Sequence, residues 1–268
     1  MPRNPLLEKF QKNEVALGLG INNPDMVELC AFLGFDWFQL DQMWSELDWG
    51  KTKEMIRTGQ AAEITPVLRV QSNPWLGYDH RIAVDATRAQ GIGAQFILVS
   101  NSCNKEIEEC LGATRSWHRN IRAVHPFRSI GEWDAKSSQM TEATYIIPQP
   151  ESKGGLEEME QTLELPGLKA FFIAMTDASK AISGTKTPEF NHPKLWEYVH
   201  KAVRIGEKKG IVIGANTSYA YTMEEMENRT KQLADAGVKM IMIQGAPFLF
   251  QVAIGKFLDN VKKSLHLN

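Results

Sequence analysis

Eight short apolar runs punctuate this chain, each followed by a stretch of mixed polarity, and that alternation restricts its fold more than any other feature. The runs fall at 15–21 (VALGLGI), 37–41 (WFQLD), 65–70 (TPVLRV), 95–101 (QFILVSN), 145–151 (YIIPQPE), 170–177 (AFFIAMTD), 211–216 (IVIGAN) and 240–246 (MIMIQGA). Strands this continuously apolar are buried on both faces, as in parallel sheets covered by helices. Between them, segments such as 24–34 (PDMVELCAFLG) repeat apolar residues at three- and four-residue spacing, with Asn23-Pro24 as a start signal and Gly34 as a stop. Eight strand–helix alternations predict an α/β protein, a (β/α)8 TIM barrel forming one domain over residues 1–268. An open doubly wound sheet is the competing architecture. It calls for a Gly-rich phosphate turn after the first strand, and GLGINN at 18–23 does not supply one. Residues 117–144 carry neither periodicity and read as a long loop before the fifth strand.

Charge narrows the function classes. Thirty Lys and Arg against 32 Asp and Glu leave a net charge of −2, with no basic run, which disfavours binding to nucleic acid. No stretch is apolar for the roughly 18 residues a membrane span needs, and the first twenty residues lack a signal-peptide pattern. Cys30, Cys103 and Cys110 form no metal-binding clip, and so sparse a count suits a reducing compartment; the expected location is the cytoplasm.

In a parallel barrel, chemistry sits at the C-terminal ends of the strands. Asp41 closes the second run, Arg69 lies near the end of the third, Glu151 ends the fifth and Asp177 ends the sixth. Gln149 is two residues before Glu151, so strand alternation points both the same way. Two carboxylates on neighbouring strand ends suit a hard divalent cation (Mg2+, Mn2+ or Co2+), with positions left open for water and a 2-oxo acid. Such a cation would stabilise an enolate as a Lewis acid, and Arg69 is a fixed fork for an oxyanion or carboxylate. Each residue alone also has a structural reading: Asp177 as a helix cap, Arg69 as half of an ion pair.

At these residues the sequence resembles the HpcH/HpaI aldolase family, metal-dependent class II pyruvate aldolases of the phosphoenolpyruvate/pyruvate barrel superfamily. The resemblance runs over nearly the whole chain: LGFDWFQLD at 33–41, PVLRV at 66–70, QPES at 149–152 beside the family's Gln-x-Glu-Thr, FFIAMTDAS at 171–179 beside its Phe-Ile-Gly-Pro-x-Asp-Leu-Ser, and NHP at 191–193. It implies Glu151 and Asp177 as metal ligands, Arg69 and Gln149 as contacts to the keto-acid oxygens, and the backbone N–H groups of Thr176 and Asp177 as its carboxylate site. The departures lie elsewhere. The family's Asp-Gly-Glu-His reads Asp41-Gln42-Met43-Trp44, so its acid/base histidine is replaced by a tryptophan that cannot relay protons. Glu46 and His80 are the leading replacements, with His118 and His125 in the long loop behind them; Trp44, Trp75 and Tyr78 would offer an aromatic wall to substrate.

These readings converge on a divalent-metal-dependent carbon–carbon lyase of aldolase type acting on a small 2-oxo acid. The alternatives are a hydratase or dehydratase, a C–C hydrolase or a 2-oxo acid decarboxylase using the same enolate site, and a non-catalytic keto-acid-binding barrel. A Schiff-base mechanism needs a lysine inside a strand end; Lys169 and Lys239 precede their strands instead. The apolar C-terminal stretch 247–265 predicts a homo-oligomer, and the resemblance implies a hexamer built as a trimer of dimers with the last helix exchanged between subunits.

Overall fold

The computed structural model describes residues 4–45, 47–70, 79, 81–101, 103–115 and 144–266. Eight parallel strands alternate with helices: β1 Ala16–Gly20, β2 Trp37–Asp41, β3 Thr65–Arg69, β4 Phe96–Ser100, β5 Tyr145–Gln149, β6 Ala170–Ile173, β7 Val212–Asn216 and β8 Met240–Gly245. The hydrogen-bonded order is β5-β4-β3-β2-β1-β8-β7-β6, and β5 and β6 lie against each other to close the ring. This is the TIM barrel that the alternation predicts. The helices are α1 Pro5–Gln11, α2 Pro24–Phe32, α3 Trp49–Ala61, α4 Arg81–Ile92, α5 Asn104–Arg115, α6 Lys153–Glu157, α7 Met159–Leu163, α8 Met175–Ser183, α9 Pro193–Lys209, α10 Met223–Asp235 and α11 Ala246–Ser264. None among the described residues is long and apolar enough to cross a membrane.

Local chemistry explains the junctions. Asn23 caps α2 by accepting from the Asp25 N–H at 2.8 Å, and Pro24 opens the helix. Gly34 ends it at φ +88°, a left-handed conformation that a side chain would strain. Two strand ends differ from expectation. β5 stops at Gln149 and β6 at Ile173, so Glu151 sits two residues past its strand and Asp177 lies in the first turn of α8. The apolar run 171–175 passes straight from strand into helix, which is why period alone did not separate them.

Alternation along the strands sorts the core into two layers. Phe38, Leu40, Ile97 and Phe171 face outward against the helices. Trp37, Val67, Phe96, Leu98, Ile147 and Phe172 fill the barrel's interior, closed from below by Leu6 and Phe10 of α1. Gly18 makes room for this plug, since a Cβ there would stand 2.1 Å from the Trp37 indole.

Candidate active site

Climbing the inward-facing positions, side chains change from apolar to amide to charged. On β2 the series is Trp37, Gln39, Asp41; on β5 it is Ile147, Gln149 and then Glu151 beyond the strand. A cavity of about 600 Å³ opens at the strands' C-terminal ends, lined by Asp41, Trp44, Arg69, Gln149, Glu151, Thr176 and Asp177 among others. Seven of the nine residues singled out from sequence therefore meet in one place. The other two, Glu46 and His80, lie outside the described residues, as do Trp75, Tyr78, His118 and His125.

Arg69 organises the charged side. Its Nε and Nη2 donate to the two carboxylate oxygens of Asp41 at 3.0 and 2.5 Å, a bidentate fork between register partners on β2 and β3. Its Nη1 reaches Glu151 Oε1 at 3.4 Å. Asp41 also accepts from the N–H groups of Met43 and Trp44, so it pins the turn that follows β2. Glu151 is held from the other side: Asn101 Nδ2 donates to its Oε2 at 2.8 Å, and the Glu151 N–H donates to Asn101 Oδ1 at 3.1 Å. Asn101 makes both contacts from φ +50°. Burial pushes the Glu151 carboxyl up to about 7; Arg69 opposes the rise, while the charges of Asp177 and Asp41 add to it.

Asp177 is half exposed, with Lys180 3.3 Å away on its own helix. The N–H groups of Thr176 and Asp177 belong to the first turn of α8, where backbone donors have no partner within the helix and the dipole favours an anion. Gln149 Oε1 accepts from Ser100 at 2.6 Å, which fixes the amide's orientation. Trp44 is 71% exposed at the cavity rim. Gln42 turns away from the cavity and donates to Thr52 inside the fold.

The donor set suits a hard cation. Asp41, Glu151 and Asp177 bring three carboxylates to a cavity where Arg69 is the facing guanidinium, and the upward shift of Glu151, set first by its burial, is increased by the two neighbouring negative charges. Among the described residues no group of three or more His, Cys, Asp or Glu side chains is placed to hold a metal ion. An open site with two protein ligands and several vacant positions is what substrate-binding Mg2+ sites use.

No family model matches the chain. It is 26% identical over 193 residues to a hydroxypyruvate/pyruvate aldolase of Deinococcus radiodurans, covering 68% of this chain and 67% of that one. A hydroxypyruvate/pyruvate aldolase of Paraburkholderia phytofirmans is 23% identical over 255 residues, 90% of each. Among solved structures, an HpcH/HpaI aldolase from Desulfitobacterium hafniense superposes with a TM-score of 0.78 at 18% identity, covering 96% of both chains. The chain is thus similar in sequence to hydroxypyruvate/pyruvate aldolases and shares the fold of an HpcH/HpaI aldolase. A citrate synthase of the same fold matches with a TM-score of 0.75 at 18% identity over 96% of this chain and 97% of that one, so neighbours of these aldolases also bear the name of a synthase.

Polar cavity residues that escaped the sequence reading include Gln39, Asn101, Asn216, Ser218 and Gln244. Asn101 and Asn216 left a trace, as the polar ends of the fourth and seventh runs. The others are amides and a hydroxyl with no motif around them.

Proposed function

We propose that this protein is a divalent-metal-dependent carbon–carbon lyase that handles the enolate of a small 2-oxo acid. The observation that carries the reading is the meeting of Asp41, Arg69, Gln149, Glu151, Thr176 and Asp177 around one cavity. Glu151 and Asp177 would hold the cation, which supplies Lewis acidity to the keto oxygen as negative charge develops there. The first-turn N–H groups of Thr176 and Asp177 receive the substrate carboxylate. Arg69, locked by Asp41, presents a preorganised positive charge to the developing oxyanion, so no reorganisation is needed as the reaction proceeds. Gln149, oriented by Ser100, adds a neutral hydrogen bond. Proton transfer to and from the electrophile falls to Glu46 or His80, the sequence-level replacements for the family histidine.

A decarboxylase reading has its own support. The described cavity lining contains no histidine, and loss of carbon dioxide from an oxaloacetate-like acid yields the enolate without a base. One experiment addresses both. Protein stripped with EDTA is given oxaloacetate or 4-hydroxy-2-oxo acids, pyruvate release is followed, and Mg2+, Mn2+ or Co2+ is added back. Restored turnover is expected; turnover that ignores the metal rejects the reading. Metal and pyruvate binding without turnover of either substrate class would instead favour a non-catalytic keto-acid-binding barrel.

The protein is further proposed to be a cytoplasmic homo-oligomer. α11 buries none of its residues in the chain itself, and Phe250, Ile254, Phe257 and Leu258 stand exposed at spacings of one helical face. A second copy covering that face fits the hexamer that the family resemblance implies. Light scattering should give a multiple of 30.2 kDa, and Phe257→Asp should shift the mass downward; a wild-type monomer rejects the assembly.

A further inference from the structure

Asn101 follows β4 at φ +50°, a left-handed conformation that strains a residue with a side chain and leaves glycine at ease. Glycine would make the same turn, so the asparagine side chain is to be judged by what it holds. It holds one residue, twice. Its Oδ1 accepts from the Glu151 N–H at 3.1 Å, and its Nδ2 donates to Glu151 Oε2 at 2.8 Å. A backbone N–H can only donate, so the first bond fixes which end of the amide is oxygen. The second bond therefore brings a donor to the carboxylate.

Both sides of this clasp are anchored. The Asn101 N–H donates to the Gln149 carbonyl at 3.0 Å, which carries the β4–β5 ladder one step past the Ser100–Gln149 pair. Pro150 has no N–H, so Glu151 is the first residue beyond β5 able to donate, and Asn101 takes that donor. Ser152 then caps α6 by accepting from the Gly155 N–H at 3.1 Å. Glu151 thus stands on a short bridge between strand and helix, its side chain 10% exposed. Its two carboxylate oxygens are unequally held: Oε2 has the short amide bond, whereas Arg69 Nη1 stands 3.4 Å from Oε1.

We infer that Asn101 is a positioning residue that sets the Glu151 carboxylate in advance and so biases the cation site toward small divalent ions; this rests on the metal-dependent reading above. Mg2+ takes its ligands at about 2.0–2.1 Å in near-ideal octahedral geometry, so a carboxylate fixed before the ion arrives favours it. Ca2+ accepts looser arrangements and often takes both oxygens of one carboxylate. Engaging both oxygens of Glu151 brings the ion against Oε2, which the Asn101 amide already holds, and the larger ion loses part of that bond. Asp177, half exposed and tied to Lys180 of its own helix, follows an ion of either size. Discrimination therefore falls to Glu151 and the residue that holds it.

The test reads binding in the whole protein without turnover. Free Mn2+ is followed by its EPR signal at constant pH, and Mg2+ or Ca2+ is added to displace the bound fraction. Wild type should prefer Mg2+ to Ca2+. Asn101→Gly and Asn101→Ala should each weaken Mg2+ binding by about 10–100-fold and Ca2+ binding by less, narrowing the preference. The two variants separate positioning from folding, because both lose the amide while alanine alone keeps the backbone strain and should melt a few degrees below glycine. Equal losses of Mg2+ affinity despite different Tm values support the positioning role. Unchanged affinity, an unchanged Mg2+ to Ca2+ ratio, or losses that follow Tm overturn it and leave Asn101 a turn residue. A wild type that binds no Mn2+ sinks the metal-dependent reading and this role together, whereas variants that match a metal-binding wild type sink this role alone.

Discussion

The floor and the mouth of this barrel are made by the same eight strands and obey opposite rules. In the floor, Trp37, Phe96 and Phe172 are fully buried, and Gly18 and Gly214 stand where a side chain would collide with Trp37 and Phe172. In the mouth, one carboxyl is pushed to about 7, two buried amide oxygens lack partners, and Asn101 and Ser218 hold left-handed conformations without being glycine. At the mouth these features lie where substrate would supply missing partners, although Asn13 and Glu63, which precede β1 and β3 at the other end, are left-handed too. The floor holds the fold; the mouth is tuned for chemistry at the expense of stability.

The sharpest way to break this contrast is Glu151→Gln. Loss of a proposed cation ligand should lower turnover by roughly 10³-fold, on the scale of removing a principal electrostatic group, measured as pyruvate release at saturating Mg2+. Stability of the metal-free protein should move the other way. With its folded pKa raised from 4.5 to about 7, Glu151 binds more protons folded than unfolded, so its contribution to stability falls as pH climbs from 4.5 through 7. Glutamine removes that slope. A variant melting lower than wild type at pH 8 in EDTA would show that the mouth is not strained in this way.

The converse change belongs to the floor. Gly18→Ala drives a methyl into the Trp37 ring and should cost about 1–3 kcal/mol. That corresponds to a drop of several degrees in Tm, at about 2–4 °C per kcal/mol for a chain near this size. Trp37→Phe in the same chain should recover part of it. Activity per folded molecule should hold; a mutant of unchanged Tm but low kcat would place function in the floor.

How legible this was depends on whether a feature repeats. The barrel showed in eight apolar runs because each strand must be buried on both faces, and periodicity survives loss of sequence identity. Asp41, Arg69, Gln149 and Glu151 showed because strand ends are few and their polar residues stand out against apolar text. Asp177 was found but misplaced, on a strand instead of a helix. α1 was missed because PLLEKFQ is too short to display a period, although it closes the floor. The roles of Gln39 and Asn216 were hidden for a deeper reason: an amide on a strand says nothing of whether its oxygen finds a partner, which only the packed barrel decides.

Proton competition offers a finer probe of the mouth. If a cation takes the place of the Glu151 proton, binding should release close to one proton at pH 6 and almost none at pH 8. A carboxyl with pKa about 7 is roughly one-tenth ionised at pH 6 and nine-tenths at pH 8, so apparent Mg2+ affinity should rise about tenfold across that interval. Calorimetry in buffers of different ionisation enthalpy reads both quantities. A flat profile would separate cation binding from Glu151.

The smallest effect tests the strain itself. Ser218 holds φ +55° with a Cβ that disfavours it. Ser218→Gly removes that penalty but loses the contact with Thr176 and frees the unfolded chain, so the net gain should be under about 1 kcal/mol, a rise of a few degrees at most. The same substitution at a relaxed position would lower Tm, which makes the sign informative where the size is not. Turnover should fall even as the protein becomes more stable, because the loop between β7 and α10 then samples more conformations beside Gln244 and Asn216. A glycine variant that is both less stable and fully active would show that residue 218 carries no stored strain, and that the mouth is shaped by its amides alone.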